Sequence, residues 1–246
     1  MIHSPTTRKI NTIDCDSVVH TPYLSVLHGE FPWCLDNSEE TSDSGDIVSS
    51  FDLVIADLTS NTKTSARQKK IQEHCHPNTS WIPYTELFMK EHSSMLVFSP
   101  LESIGAYVDA LLKAGLSYHT TYLWQKTRTE KSLDNSDPFL AILWASKGTP
   151  DSVPFVTETR LINPSLIATT NNSLPVIGNS EKSSLLQFLV QSFTKPEMLI
   201  LEPFTGDLEL MAICQKLSRY CLAISRKRSL VRQAERLLLQ SLQQTA

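Results

Sequence analysis

No stretch of this sequence approaches the roughly 18 consecutive apolar residues that a membrane-spanning helix requires. Its opening, Met1-Ile2-His3-Ser4-Pro5, lacks the charged-then-apolar pattern of an export signal. An intracellular protein, cytoplasmic or nuclear, is therefore expected. Cysteine is scarce and poorly placed for cross-linking: Cys15, Cys34, Cys75, Cys214 and Cys221 are an odd set without a Cys-x-x-Cys pair. That pattern suggests neither a disulfide framework nor a four-thiolate zinc site. His74-Cys75-His76, with His92 farther on, comes nearest to a metal cluster. Adjacent side chains diverge, however, and no second ligand pair stands at a useful spacing, so the stretch reads as a polar loop and no metal is expected. An excess of positive charge is missing too. The formal net charge is −4, which removes any global attraction to nucleic-acid phosphates and leaves only local contacts.

Two local basic runs exist: Arg226-Lys227-Arg228 followed by Arg232 and Arg236, and the cluster of Arg67, Lys69 and Lys70. Each reads either as the solvated face of a helix or loop, or as a phosphate contact. The 246 residues, 41% of them hydrophobic, are enough for one large α/β domain and too few for two ordinary ones. One domain over 1–246 is expected.

Along the chain, residues 8–15 look like a short strand, and 36–50 form an acidic, serine-rich stretch without periodicity, read as a flexible insertion. Phe51–Ala56 is a compact apolar run with polar flanks, the mark of a buried parallel strand, and it stops at Asp57. A polar loop covers 59–79. A helix is predicted over 82–92, a strand over 95–98, a helix over 101–114 stopped by Gly115, and strands over 120–124 and 139–144. Residues 149–178 contain four prolines and read as an irregular connection. Order resumes with a helix over 184–193, a strand over 198–201, a helix over 208–217, a strand over 220–224 and an amphipathic helix over 229–242. Strands alternating with helices predict an α/β fold, a mostly parallel sheet with helices on both faces. Trp124 and Trp144, inside apolar strand runs, read as core.

Open α/β sheets bind ligands outside the carboxyl ends of their strands. Two such ends stand out: Asp57-Leu58-Thr59-Ser60 and Glu202-Pro203-Phe204-Thr205-Gly206-Asp207. With them, the order of short motifs resembles the β-type DNA amino-methyltransferases, specific for N6 of adenine or N4 of cytosine. Ile10–Cys15 is similar to the family's opening strand ending in Gly-Asp-Cys, and Phe51–Asp57 to the strand entering Asp-Pro-Pro-Tyr. Trp124-Gln125-Lys126 and Leu143–Gly148 fall where the family has Trp-x-Lys and a strand ending in Lys-Gly. Ser180-Glu181-Lys182-Ser183 resembles Thr-Glu-Lys-Pro, and Leu201–Gly206 resembles the Asp-Pro-Phe-x-Gly cofactor loop.

The resemblance implies a Rossmann-like methyltransferase fold that uses S-adenosylmethionine (SAM), acting on a base flipped from nucleic acid, DNA rather than RNA. It implies Asp57 and Ser60 at the catalytic position, and Asp14, Lys182, Glu202, Phe204, Gly206 and Ser225 around the cofactor. Arg226, Lys227 and Arg228 are the candidate nucleic-acid contacts. The departures from the family pattern matter chemically. Leu58 and Thr59 replace two rigid prolines, and Ser60 cannot stack a base, a contact worth about 1–3 kcal/mol, unless Trp81 or Tyr84 supplies it. Leu208 stands at the second close-approach glycine, and Ser225 replaces the acid that holds the ribose. Weak or absent methyl transfer is therefore expected. A non-catalytic scaffold or nucleic-acid-binding subunit, partnered by an active methyltransferase, is the rival reading. An unrelated α/β protein is the third.

Overall fold

The computed structural model describes residues 18–20, 23–32, 35, 50–58, 77–125, 139–150, 161–162 and 180–243. The strand expected over 8–15, the acidic stretch 36–49, most of the polar loop, and Asp14, Ser60, Arg67, Lys69 and Lys70 lie outside the described residues.

Among the described residues nine strands form one sheet: β1 (Val18–His20), β2 (Leu24–His28), β3 (Phe51–Asp57), β4 (Met89–Ser99), β5 (Ser117–Gln125), β6 (Phe139–Ser146), β7 (Leu161–Ile162), β8 (Leu199–Glu202) and β9 (Tyr220–Ser225). Their order is β1-β2-β9-β8-β3-β4-β6-β5-β7. The run from β2 through β9, β8 and β3 to β4 is parallel. The sheet then turns antiparallel through β6 and β5, and β1 and β7 are short edges. Five helices accompany it among the described residues: α1 (Ile82–Phe88), α2 (Ile104–Lys113), α3 (Glu181–Phe193), α4 (Glu209–Lys216) and α5 (Arg228–Gln243).

Alternation along the central strands explains the two layers. Leu53 and Ile55 of β3, Leu96 and Phe98 of β4, and Ile142 and Trp144 of β6 face α3, α4 and α5. The residues between them, Val54, Ala56, Met95, Val97, Leu143 and Ala145, face α1 and α2. Both faces are thus apolar, which is why these strands read as continuous hydrophobic runs. Phe51 sits on the α1 face despite sharing parity with Leu53, because the β3–β4 register shifts between Phe51 and Leu53. Helix α3 buries a broad apolar face: Leu185, Leu186, Phe188, Leu189, Val190 and Phe193 are all buried. Side chains of this kind contribute roughly 1.5–3 kcal/mol each when fully buried.

Helix and strand identities follow the sequence pattern, with corrections at boundaries. The helix expected to reach residue 92 stops at Phe88, because Met89 joins β4 alongside Phe51 and His92 takes a left-handed backbone (φ 68°). The 101–114 helix opens with a 3-10 turn, Leu101–Ser103, before α2. Gly115 (φ 81°) ends it as expected: the Leu116 amide donates to the Leu111 carbonyl, a bond that a left-handed residue permits. Strand β2 gave no recognised signal, and Leu161–Ile162 is a strand inside the supposed irregular connection. Trp124 and Trp144 are core. No helix among the described residues is long and apolar enough to cross a membrane.

Candidate functional site

The strand order reverses between β3 and β8: from β3 the chain builds outward to β4 on one side, and from β8 outward to β9 on the other. Such a switch point opens a crevice at the carboxyl ends of the two strands, where open α/β sheets place their ligands. Asp57 ends β3 and Glu202 ends β8, so the two acids picked out at strand ends lie on neighbouring strands at that crevice.

Lys182 joins them. It occupies the first turn of α3, where Ser180 caps the helix by accepting from the Ser183 amide at 2.9 Å. A cation there opposes the helix dipole, so acids must hold it. Its Nζ lies 2.8 Å from Asp57 Oδ2 and 2.9 Å from Asp207 Oδ2. Asp207 Oδ1 meanwhile accepts from the Glu209 amide at 3.0 Å, capping α4. The Ser180 hydroxyl donates to Glu209 Oε1 at 3.0 Å and ties the starts of α3 and α4 together. Burial pulls the Lys182 ammonium towards neutrality, but the charge of Asp57 and the hydrogen bonds to Asp57 and Asp207 outweigh it and hold the group charged above its ordinary range.

Glu202 is fully enclosed, and burial pushes its carboxyl up to about 8, with the Asp207 charge adding to the rise; a hydrogen bond with Thr205 and the Lys182 charge pull it back only in part. It is protonated at neutral pH. Asp57 is 3% exposed. The crevice floor thus holds two acids bound to one lysine and a third acid kept neutral.

The loops above the floor are stitched by backbone. Thr205 N–H donates to the Ile224 carbonyl at 2.9 Å, Ser225 Oγ donates to the Thr205 carbonyl at 3.1 Å, and the Lys227 amide donates to Ser225 Oγ at 3.2 Å. Gly29 N–H donates to the Ser225 carbonyl at 3.0 Å, linking the ends of β2 and β9. Phe204 sits edge-on between Phe31 (6.0 Å between ring centroids) and Trp81 (5.1 Å).

Solved structures share this fold. The PvuII DNA methyltransferase, cytosine-N4-specific, superposes with a TM-score of 0.59 at 13% identity, covering 86% of this chain and 84% of that one. M1.HpyAVI superposes at 0.56 with 18% identity, covering 77% and 88%. Its SAM complex superposes at 0.52 with 17% identity, covering 76% and 88%. The chain has the DNA-methyltransferase fold. No family model matches the sequence, and no curated protein matches it in sequence.

On this methyltransferase fold the candidate residues divide. Asp57, Lys182 and Glu202 converge on the crevice, with Phe204 and Gly206 in the loop after β8. Ser225 ends β9 at the same edge of the sheet, but its hydroxyl is engaged with Thr205 and Lys227 and it is 3% exposed. Leu208, expected to crowd the ligand, packs instead against the core that contains α3 and α4. Trp81 is buried against Phe204, with its Nε1 donating to the Asn78 carbonyl at 3.0 Å, so it presents no open face for a base. Tyr84, 40% exposed on α1, presents more ring surface. Arg226, Lys227 and Arg228 are exposed just beyond β9, where Arg226 pairs with Glu30.

Asp207 was missed as a site residue. Its signal was available, since an acid directly after the glycine of a strand-to-helix turn is placed to cap the next helix. Its second role, on Lys182, depends on where α3 lands.

Proposed function

We propose that this chain is a methyltransferase-like protein of the DNA amino-methyltransferase type, a single domain whose base-accepting and cofactor-binding groups are degenerate, so that methyl transfer to N6 of adenine or N4 of cytosine is weak or absent. The observation that carries the reading is Ser225, buried at the end of β9 with its hydroxyl engaged by Thr205 and Lys227, where the family pattern has the acid that holds the ribose. Ser60 is the second catalytic candidate, and as a hydroxyl it adds hydrogen bonding without stacking.

SAM is the cofactor by resemblance, with Asp14, Lys182, Glu202, Phe204, Gly206 and Ser225 as its candidate neighbours. The residues present do not fit it at the ribose end. Ser225 is buried and spends its hydroxyl on the turn, where a carboxylate would make a charge-assisted pair with the two ribose hydroxyls. Calorimetric titration with SAM should therefore give no heat, or a Kd weaker than the low micromolar range. A Kd at or below that range would remove the degenerate-site reading and leave an active enzyme as the alternative.

A second reading is favoured by the exposed Arg226, Lys227 and Arg228 at the same end of the sheet. In it the chain is a non-catalytic scaffold that binds nucleic acid, DNA before RNA, or supports an active methyltransferase subunit.

A further inference from the structure

We propose that the outer face of α5 is a phosphate track, holding the backbone of a nucleic-acid strand and leading it away from the candidate site. The inference deepens the nucleic-acid arm of the second reading and rests on that arm. Arg228, Arg232 and Arg236 recur every four residues, so at 100° per residue they fall within about 80° of one another on the helix surface. All three are exposed, while Leu230, Val231 and Ala234 on the opposite side are buried against the sheet. With Arg226 and Lys227 before them, five cations occupy residues 226–236 against one acid, half-buried Glu235, in a chain whose net charge is −4. The stripe is therefore a local feature and not a general property of the surface.

Three arguments identify the occupant. Arginine presents a planar fork that pairs with phosphate oxygens bidentately, and three successive stripe positions are arginine. Steps of four residues advance about 6 Å along the helix, a spacing at which extended guanidinium groups reach successive phosphates. A basic amphipathic helix can also lie on an anionic membrane, but that requires a free apolar face, and Leu230, Val231 and Ala234, the apolar side chains among the described part of α5, are already buried where the helix packs on β1, β2 and β9. The ion pair of Arg226 with Glu30 on this patch is exposed on both sides and exchangeable for a phosphate at little cost. Because α5 begins beyond the carboxyl end of β9, the track starts at the rim of the crevice and runs outward for about 12 Å.

The test uses the full chain and fluorescence anisotropy with a labelled 30-nucleotide DNA, single-stranded and as a duplex, over a salt series. R232Q/R236Q should weaken binding about ten-fold near 0.1 M salt and lower the slope of log K against log salt by roughly 1.4 for the single strand or 1.8 for the duplex. R232K/R236K should keep the parent slope, since the charges remain, which separates a charge effect from damage to the helix. Unchanged slope in R232Q/R236Q, alongside loss in R226Q/K227Q, would overturn the track and leave a loop contact. No binding by the parent would overturn the track together with the nucleic-acid arm, while the SAM titration still decides the methyltransferase-like reading independently. Binding of the parent to phosphatidylserine vesicles that DNA does not displace would also overturn it.

Discussion

Replacing Lys182 with methionine is expected to destabilise the fold by about 3 kcal/mol at neutral pH, because it leaves the Asp57 carboxylate buried without its cation. The pair is asymmetric: the Asp57 side chain is 4% exposed and Lys182 26%. Water reaches the lysine partly, so the lower end of the range measured for broken buried pairs applies. Asp207 loses the same partner but is more exposed and retains its capping bond to the Glu209 amide, so its share is small. One further result should accompany the loss. The double variant D57N/K182M should recover most of the lost stability, because neither partner then carries an unpaired charge. Urea unfolding of the three proteins at pH 7.5 checks this. A K182M midpoint matching the parent would show that the lysine does not hold the crevice floor together.

Glu202→Gln should have the opposite sign. The Glu202 carboxyl is held protonated up to about 8 in the fold, against 4.5 for the free group. Between those values the folded chain binds more protons than the unfolded one, so stability falls as pH rises, by up to roughly 1.4 kcal/mol per pH unit. The contribution is fully present below pH 4.5 and lost on passing pH 8. Glutamine keeps the shape and cannot ionise, which removes that slope. The variant should match the parent near pH 4.5 and exceed it by a few kcal/mol, on the order of the integrated slope, at pH 8.5. Lys182, Asp57, Asp207 and Cys221 face the same region and are present in both proteins. Parallel profiles would show that this carboxyl ionises as an ordinary surface acid does.

Both variants probe a network whose members are far apart in sequence. Asp57 and Glu202 were recognisable one strand at a time, since each closes a short apolar run and open α/β sheets place chemistry at such ends. Gly115 was recognisable as a helix stop, and the tryptophans as core, from their immediate neighbours. Strand β2 was not, because five residues between polar flanks carry too little pattern to separate a strand from a loop. The end of α1 at Phe88 was hidden for a different reason: pairing of Met89 beside Phe51 overrides a local helical spacing.

The sequence by itself determined the layer architecture, through the alternation of strand and helix patterns. It also determined the chemical identity of the groups at the strand ends, including the replacements Leu58, Thr59 and Ser225. Only the tertiary structure decided how those groups are used. It put β3 beside β8, so that two acids share one crevice, and it landed α3 with Lys182 between Asp57 and Asp207. It turned Leu208 into the core and the Ser225 hydroxyl onto Thr205 and Lys227. The physical reason is range: hydrophobic periodicity is a local property of the chain, whereas desolvation and ion pairing depend on which distant segments the packed sheet brings together.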